Sequence, residues 1–410
     1  MKAVIEKSVI SKAVISPRPP RDRRAWITGL GIVCAAGAGK SAFASALKKG
    51  RSGIRELDRF SADSFFSSWA GQAPDPPRDD PRASRADLLA LQAAREAIAQ
   101  SGLQADELAD AAVIFGVGAG AGAEAAPTDD RQRWPLGSML VRHQPMSVVD
   151  LIGERIGAQG RRLALMTACS SSGGAMASAL DMIRLGSAEL VIVGGAEALT
   201  TLTFGGFSAL RAMDPEPCRP FHRDRAGLTL GEGAAVMIVE LAERARARGA
   251  RALAELAGVG GAADAHHLTA PPADGRGARA AMQAALGDAG IEASEVDYVN
   301  AHGTATPLND LAECAALRAV FNQRRPKVSS TKAITGHALG AASALEAGAC
   351  LLAMENGWLP GTVGLDQPDP GCVTGIDLLA PPGLPSTIDV ALSNSFAFGG
   401  NNITVVLRRV

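Results

Sequence analysis

At 410 residues with a formal net charge of −1, the chain is long enough for two domains or one large duplicated one, and it has no overall charge with which to hold nucleic acid or an anionic membrane. Aromatics make up only 4% of it against 46 glycines, which points to close helix–sheet packing of small residues rather than an aromatic core. The six cysteines are scattered with no C-x-x-C, a pattern that excludes a zinc cluster or disulfide framework and fits a reducing, cytoplasmic compartment; no apolar run reaches the length of a membrane span.

Residues 1–24 read as a basic, loosely ordered tail. Charged residues interrupt the apolar positions, so no signal-peptide core forms, and Pro17, Pro19 and Pro20 alternate with arginines. Residues 25–33 are expected as the first buried strand, followed by a helix at 41–48. The Pro-rich stretch 60–85 reads as a surface excursion, and 88–100 as an amphipathic helix with Leu91, Ala94 and Ile98 near one face. Residues 111–117 form a strand that runs into Gly118, Gly120 and Gly122. A dinucleotide loop is a weak reading there, because Pro127 and two aspartates interrupt the helix that would cradle a pyrophosphate; a close-packing glycine turn or substrate wall is the stronger one.

The stretch from Leu163 to Gly174 organises the rest. An apolar run stops at Cys169, small residues follow, and Met176, Leu180 and Ile183 then recur at helical spacing. A thiol at the start of a helix sits near unpaired N–H groups and the positive end of the macrodipole, so Cys169 is expected to ionise easily. A buried, inert small thiol is the competing reading. Further strands are expected at 190–197, 231–240 and 253–259, the last crossing into a second half. A strand at 296–301 ends in His302-Gly303-Thr304, echoing the Phe115 strand and its small-residue turn, and another ends in Ala397-Phe398-Gly399-Gly400, echoing the cysteine strand and its turn. This self-similarity implies two duplicated α/β halves, 25–250 and 251–410. His302, His337 and the loop pair His266-His267 stand near such strand ends, where ligands and chemistry in α/β sheets collect. Singly, each also reads as a structural or surface histidine.

Four motifs then occur in order: Thr167-Ala168-Cys169-Ser170-Ser171, Asn300-Ala301-His302-Gly303-Thr304-Ala305-Thr306, Ser330-Thr331-Lys332 with Gly336-His337, and Asn394-Ser395-Phe396-Ala397-Phe398-Gly399-Gly400. From about Trp26 to the C-terminus the chain resembles the β-ketoacyl-acyl-carrier-protein synthases of the thiolase-like superfamily, particularly the type II elongating condensing enzymes. The resemblance implies an α/β fold, a duplicated thiolase-like one layered α-β-α-β-α, with two mixed sheets around a central helix layer. It implies an acyltransferase that joins malonyl-acyl carrier protein to a Cys-bound acyl chain by decarboxylative Claisen condensation, in fatty-acid or specialised polyketide or aryl-polyene synthesis. On that basis Cys169 is the nucleophile, and neutral His302 and His337 donate hydrogen bonds to the malonyl thioester carbonyl. The N–H groups of Cys169 and Phe398 form the oxyanion hole. Lys332, with Glu313 as its charge partner, orients the histidines. Thr304 and Thr306 hold the phosphopantetheine arm of the carrier protein, and Phe398 gates the site. Phe207 borders the acyl pocket, and Arg211 is either a contact for an acidic carrier protein or a solvated arginine. No permanently bound cofactor and no metal are implied. The expected partners are an acyl carrier protein and a second subunit, giving a homodimer or a heterodimer with a chain-length factor.

The chain also departs from the family pattern. Ala397 replaces a usual glycine, Ser170 a usual alanine, His222 and Ala226 usual aspartates, and Leu228 a usual phenylalanine; the segment between Gly122 and Val148 matches poorly. These changes favour a pathway-specific condensing enzyme over a housekeeping one. Among rival readings, a non-catalytic chain-length-factor-like partner is opposed by the retention of Cys169, His302, His337 and Lys332. A papain-like cysteine hydrolase lacks its Cys-Gly-x-Cys-aromatic signature, and a thiolase or starter-unit synthase would use Cys-His-Asn.

Overall fold

The structure is a computed structural model describing residues 22–78, 80, 83–118, 144–322 and 324–410. Most of the expected basic tail, the glycines after Gly118 and most of the poorly matching segment lie outside the described residues. The main sheet is built from β1 (Ala25–Cys34), β2 (Ala112–Val117), β3 (Arg162–Leu165), β4 (Leu190–Glu197), β5 (Gly233–Leu241), β6 (Ala254–Ala263), β7 (Tyr298–Asn300), β8 (Lys327–Ser329), β9 (Asp377–Leu378), β10 (Val390–Phe396) and β11 (Asn401–Arg408). Across the sheet they run β9-β8-β7-β10-β11-β6-β1-β5-β4-β2-β3.

Two five-stranded halves are visible in that order. β3-β2-β4-β5-β1 and β8-β7-β10-β11-β6 each place their strands third, second, fourth, fifth, first by sequence. In each half the three outer strands are parallel and the inner pairings antiparallel. The half-sheets pair with each other where β1 meets the start of β6, through Trp26 opposite Glu255 and Ile27 opposite Ala254. The strand expected to cross between halves is β6, which runs on to pair with β11 along its length.

Helices pack on these half-sheets. α1 (Arg85–Ser101) starts three residues earlier than its apolar periodicity suggests, because Ser84 and Asp87 form a reciprocal capping box. α2 (Ser171–Leu185) follows the cysteine, and α5 (Ala342–Asn356) is buried from Ala342 to Met354. A helix apolar on every side belongs inside a protein. Together α2 and α5 form the central layer, sharing one core with Ile27, Leu30, Met237, Ala391 and Val405 of strands from both halves. Between them in sequence come α3 (Thr201–Ala209) and α4 (Pro307–Val320), which carry residues of the cavity described below. The Pro-rich excursion is pinned rather than loose. Glu232, fully buried, accepts hydrogen bonds from Arg59 Nε (2.8 Å), Arg85 Nε (2.9 Å) and the Leu199 N–H (3.2 Å), while Phe60 packs edge-on and Phe65 tilted against Phe204.

One contact ties the sheet directly to the cysteine turn. A Cβ built on Gly116 of β2 would lie 2.0 Å from the Ser172 nitrogen and 2.3 Å from the Ser171 carbonyl carbon. Gly116→Ala is therefore expected to push the first turn of α2 outward and lower stability by about 1–3 kcal/mol, the usual cost of overpacking, measured by urea denaturation.

Candidate active site

The cysteine turn begins where β3 ends. β3 is the outermost strand of its half, so the apolar run is not buried as a unit; Leu163 and Met166 are exposed. Ala168 then takes a left-handed conformation (φ 53°), which its single methyl tolerates better than a longer side chain would. Short-range hydrogen bonds hold the turn. The Ser171 N–H (3.1 Å) and Oγ (2.6 Å) donate to the Ala168 carbonyl, the Thr167 N–H donates to Ser171 Oγ (2.9 Å), and Ser170 Oγ donates to the Thr167 carbonyl (2.8 Å). Ser170, a departure from the family motif, thus braces the turn.

The expectation of an easily ionised thiol is overturned. Cys169 is 4% exposed, and burial pushes its thiol up to about 11, outweighing the Lys332 charge and the N–H groups of Phe398 and of Cys169 itself. In the resting site desolvation beats the helix terminus. Alkylation of Cys169 by iodoacetamide is accordingly expected to accelerate about tenfold per pH unit up to pH ~10, since the thiolate is the reactive form. A rate that levels off near pH 8 in stopped alkylation assays would contradict this.

His302 follows β7 in a turn supported from α4. The His302 and Gly303 N–H groups each donate to Glu313 at 2.8 Å, and Asn394 Nδ2 donates to the same carboxylate at 3.1 Å. Glu313 is therefore occupied by the turn and is not the partner of Lys332. That partner is Glu346 on α5, whose carboxylate meets Lys332 Nζ directly. Both carboxyls are pushed up to about 7, burial being the largest cause in each case and backbone N–H groups or Lys332 the opposing one. Glu346 escaped sequence reasoning, although an acidic residue inside a small-residue, otherwise apolar helix was a usable signal.

Lys332 Nζ also donates to the His302 carbonyl (2.6 Å) and lies 3.3 Å from His302 Nδ1. An ammonium has three protons, and here three acceptors surround it: Glu346, the His302 carbonyl and Nδ1. That network assigns the imidazole proton of His302 to Nε2. His337 stands edge-on to His302, with ring centroids 5.3 Å apart. Burial first, and then the Lys332 charge, holds both imidazoles well below the ordinary histidine value; for His302 the neighbouring His337 adds to this. Both are neutral at pH 7. Both ring nitrogens of His337 are buried without a hydrogen-bond partner, which is costly for a closed core and natural for a site that awaits a ligand.

Phe398 is half-buried and stacks on Phe207 (centroids 5.7 Å, planes 19° apart), followed by Gly399 and Gly400 at φ 84° and 77°. Thr304 and Thr306 share a hydrogen bond between hydroxyls at 2.9 Å. One cavity of about 360 Å³ brings together Cys169, His302, His337, Thr304, Thr306 and Phe398, while Lys332 stands behind His302 and does not line it. Phe207, Ala226, Leu228 and His267 also border the cavity. Arg211 stands at its mouth with its guanidinium 4.7 Å from the Phe66 ring centroid. His266 does not line the cavity, and His222 is buried away from it, 3.4 Å from Asp366. Among the described residues no group of three His, Cys, Asp or Glu side chains could hold a metal ion, and no helix is long and apolar enough to cross a membrane.

Comparison with known proteins places the chain in a family. Residues 22–245 match the N-terminal domain of beta-ketoacyl synthases and residues 253–366 the C-terminal domain. The chain is 38% identical to Nodulation protein E of Rhizobium meliloti, over 95% of this chain and 100% of that protein. It is 34% identical to 3-oxoacyl-[acyl-carrier-protein] synthase 2 of Synechocystis, over 94% and 98%. Among solved structures it is similar to the ishigamide ketosynthase/chain length factor, with TM-score 0.85 and 33% identity over 95% of this chain and 99% of that one. Matched in both domains and over nearly the whole length of these relatives, the chain belongs to the beta-ketoacyl synthase family of acyl-transferring condensing enzymes.

Proposed function

We propose that this chain lengthens a carrier-bound acyl group by two carbons, with Cys169 as the nucleophile and His302 and His337 as the groups that stabilise the enolate. The observation that carries the reading is the pair of neutral imidazoles, one with both nitrogens unpartnered, sharing a small cavity with a cysteine. In the first half-reaction Cys169 Sγ attacks the acyl thioester of a carrier protein. The N–H groups of Cys169 and Phe398 stabilise the tetrahedral oxyanion, and the thiol proton leaves with the departing pantetheine sulfur. In the second, the malonyl thioester loses carbon dioxide. The electron pair released passes into its carbonyl oxygen, where His302 Nε2–H and His337 donate to the developing negative charge. The resulting carbanion attacks the Cys169 thioester and restores the thiolate, which takes up one proton. Lys332 and Glu346 hold the His302 tautomer and do not exchange protons with substrate. Thr304 and Thr306 hold the phosphopantetheine arm, which visits as part of the substrate, and Phe398, hinged on two glycines, moves off Phe207 to admit the chain.

Ala226 and Leu228 border the cavity with smaller side chains than the aspartate and phenylalanine usual at these positions, which supports a pathway-specific acyl substrate. β3 leaves an outer edge exposing Leu163 and Met166, and the ketosynthase/chain length factor pairing of the structural neighbour supports a second subunit there, either a copy of this chain or a chain length factor. Free buried cysteines suit a reducing cytoplasm. The test is incubation with malonyl-carrier protein and a panel of saturated, polyenoic and aryl acyl-carrier proteins. The expected product is a 3-oxoacyl-carrier protein two carbons longer, with one carbon dioxide released per turnover. Free acid without chain extension would instead indicate a hydrolase.

A further inference from the structure

The second half of the chain buries a pair of thiols that the chemistry at Cys169 does not use. Cys314 is on α4, and Cys372 is on a single helical turn, Pro370–Val373, ahead of β9. Both are free, fully buried in one apolar cluster with Leu317, Leu365 and Leu392, and absent from the cavity lining. Their settings differ. Cys314 is fixed in a long helix, whereas Cys372 is the one buried residue of the surface stretch 366–376, where Asp366, Gln367, Pro368, Pro370 and Gly371 are exposed.

That stretch is laid on α4 to either side of Cys314. A Cβ built on Gly371 would lie 2.7 Å from Leu311 Cδ2, and Arg318 Nη1 donates to the Gly371 (3.0 Å) and Thr374 (3.1 Å) carbonyls. Leu311 stands three residues before Cys314 and Arg318 four after it, so both share its helix face, and the turn held between them is centred over Cys314. The two side chains accordingly meet and share a hydrogen bond. Thiols in contact from two elements, one of them a short surface turn that can adjust, are what a disulfide requires.

We propose that Cys314 and Cys372 are a reversible redox couple, closed by a peroxide to a disulfide that staples the 366–376 stretch to α4. Cys372 meets the oxidant first, because lifting one surface turn uncovers it. Its thiolate attacks one peroxide oxygen, the O–O bond breaks, and the sulfur becomes a sulfenic acid as the other oxygen leaves and is protonated to water. The Cys314 sulfur then attacks the Cys372 sulfur, forming the S–S bond and displacing the second water. Two thiols and one hydrogen peroxide thus give one disulfide and two waters, with two electrons passing from sulfur to oxygen; a dithiol reductant reverses the change by exchange. The staple joins two supports of the histidine side of the site. Glu313, next to Cys314, holds the His302 turn, and Asp369, at the head of the Cys372 turn, accepts from Arg225 (2.7 Å), which also donates to the Pro307 carbonyl at the start of α4 (3.0 Å).

The test treats the reduced full-length protein with hydrogen peroxide, unfolds it in iodoacetamide and maps the digested peptides by mass. The expected result is a peptide pair joined through Cys314 and Cys372, about 2 Da lighter than the two thiol peptides together and separated again by dithiothreitol. The midpoint of thermal unfolding at a fixed scan rate is expected to rise by about 2–5 °C on treatment and to return with dithiothreitol, as for a cross-link closing a long loop. C372S, altered only at the surface turn, is expected to fold and to show neither effect; C314S serves as the reciprocal variant. Both thiols still fully alkylated after peroxide, either one joined to a different cysteine, or Cys372 carried on to sulfonic acid with Cys314 still free would each overturn the couple. A midpoint that stays or falls while the disulfide forms would overturn the staple.

Discussion

Cys169→Ala is expected to remove every covalent acyl adduct detectable by intact-mass analysis and to lower condensation by at least about 10⁴-fold, the scale of losing a catalytic nucleophile. No other thiol can take over. The remaining five cysteines are free and buried, and none borders the cavity. The substitution leaves the histidine side of the site intact, since Lys332, Glu346, His302 and Glu313 make their contacts without the sulfur. The variant should therefore still release carbon dioxide from malonyl-carrier protein while making no longer chain. An undiminished adduct on the alanine variant would remove Cys169 from the nucleophile role.

His302→Ala separates the two half-reactions. The backbone bonds of His302 survive the change, because Glu313 accepts from its N–H and Lys332 donates to its carbonyl. The turn should keep its shape and lose only the imidazole. Removing one donor aimed at a developing oxyanion costs about 10²–10³ in rate, and that loss should fall on malonyl decarboxylation, with acylation of Cys169 largely retained. The pH dependence sharpens the test. His302 and His337 are held well below the ordinary histidine value, so they stay neutral as pH falls through 6.5 and become protonated only at lower pH. Decarboxylation by the unaltered protein should consequently show no histidine-like loss between pH 8 and 6. Full condensation by His302→Ala would exclude the imidazole from the chemistry.

Much of the site was legible because its residues lie in short, ordered motifs at strand ends. Cys169, His302 and Phe398 each follow a strand, and such positions are readable wherever an apolar run stops at small residues. The duplication was legible for the same reason, and the repeated third-second-fourth-fifth-first order of the half-sheets agrees with it. Where reasoning failed, it failed over partners distant in sequence. Glu313 is near His302 along the chain and was matched with Lys332, yet the turn claims both its oxygens; Glu346, on a central helix, is the carboxylate that faces the ammonium.

The same division holds at Cys169. Its identity, its place between strand and helix, and its place among the family motifs are properties of the local sequence, because turn chemistry and hydrophobic periodicity act over a few residues. Its ionisation is not. A helix N-terminus alone favours the thiolate, but burial pushes the thiol up to about 11, outweighing both the Lys332 charge and the N–H of Phe398, which lie far along the chain. Desolvation depends on which surfaces close around a group, and only the tertiary structure decides that.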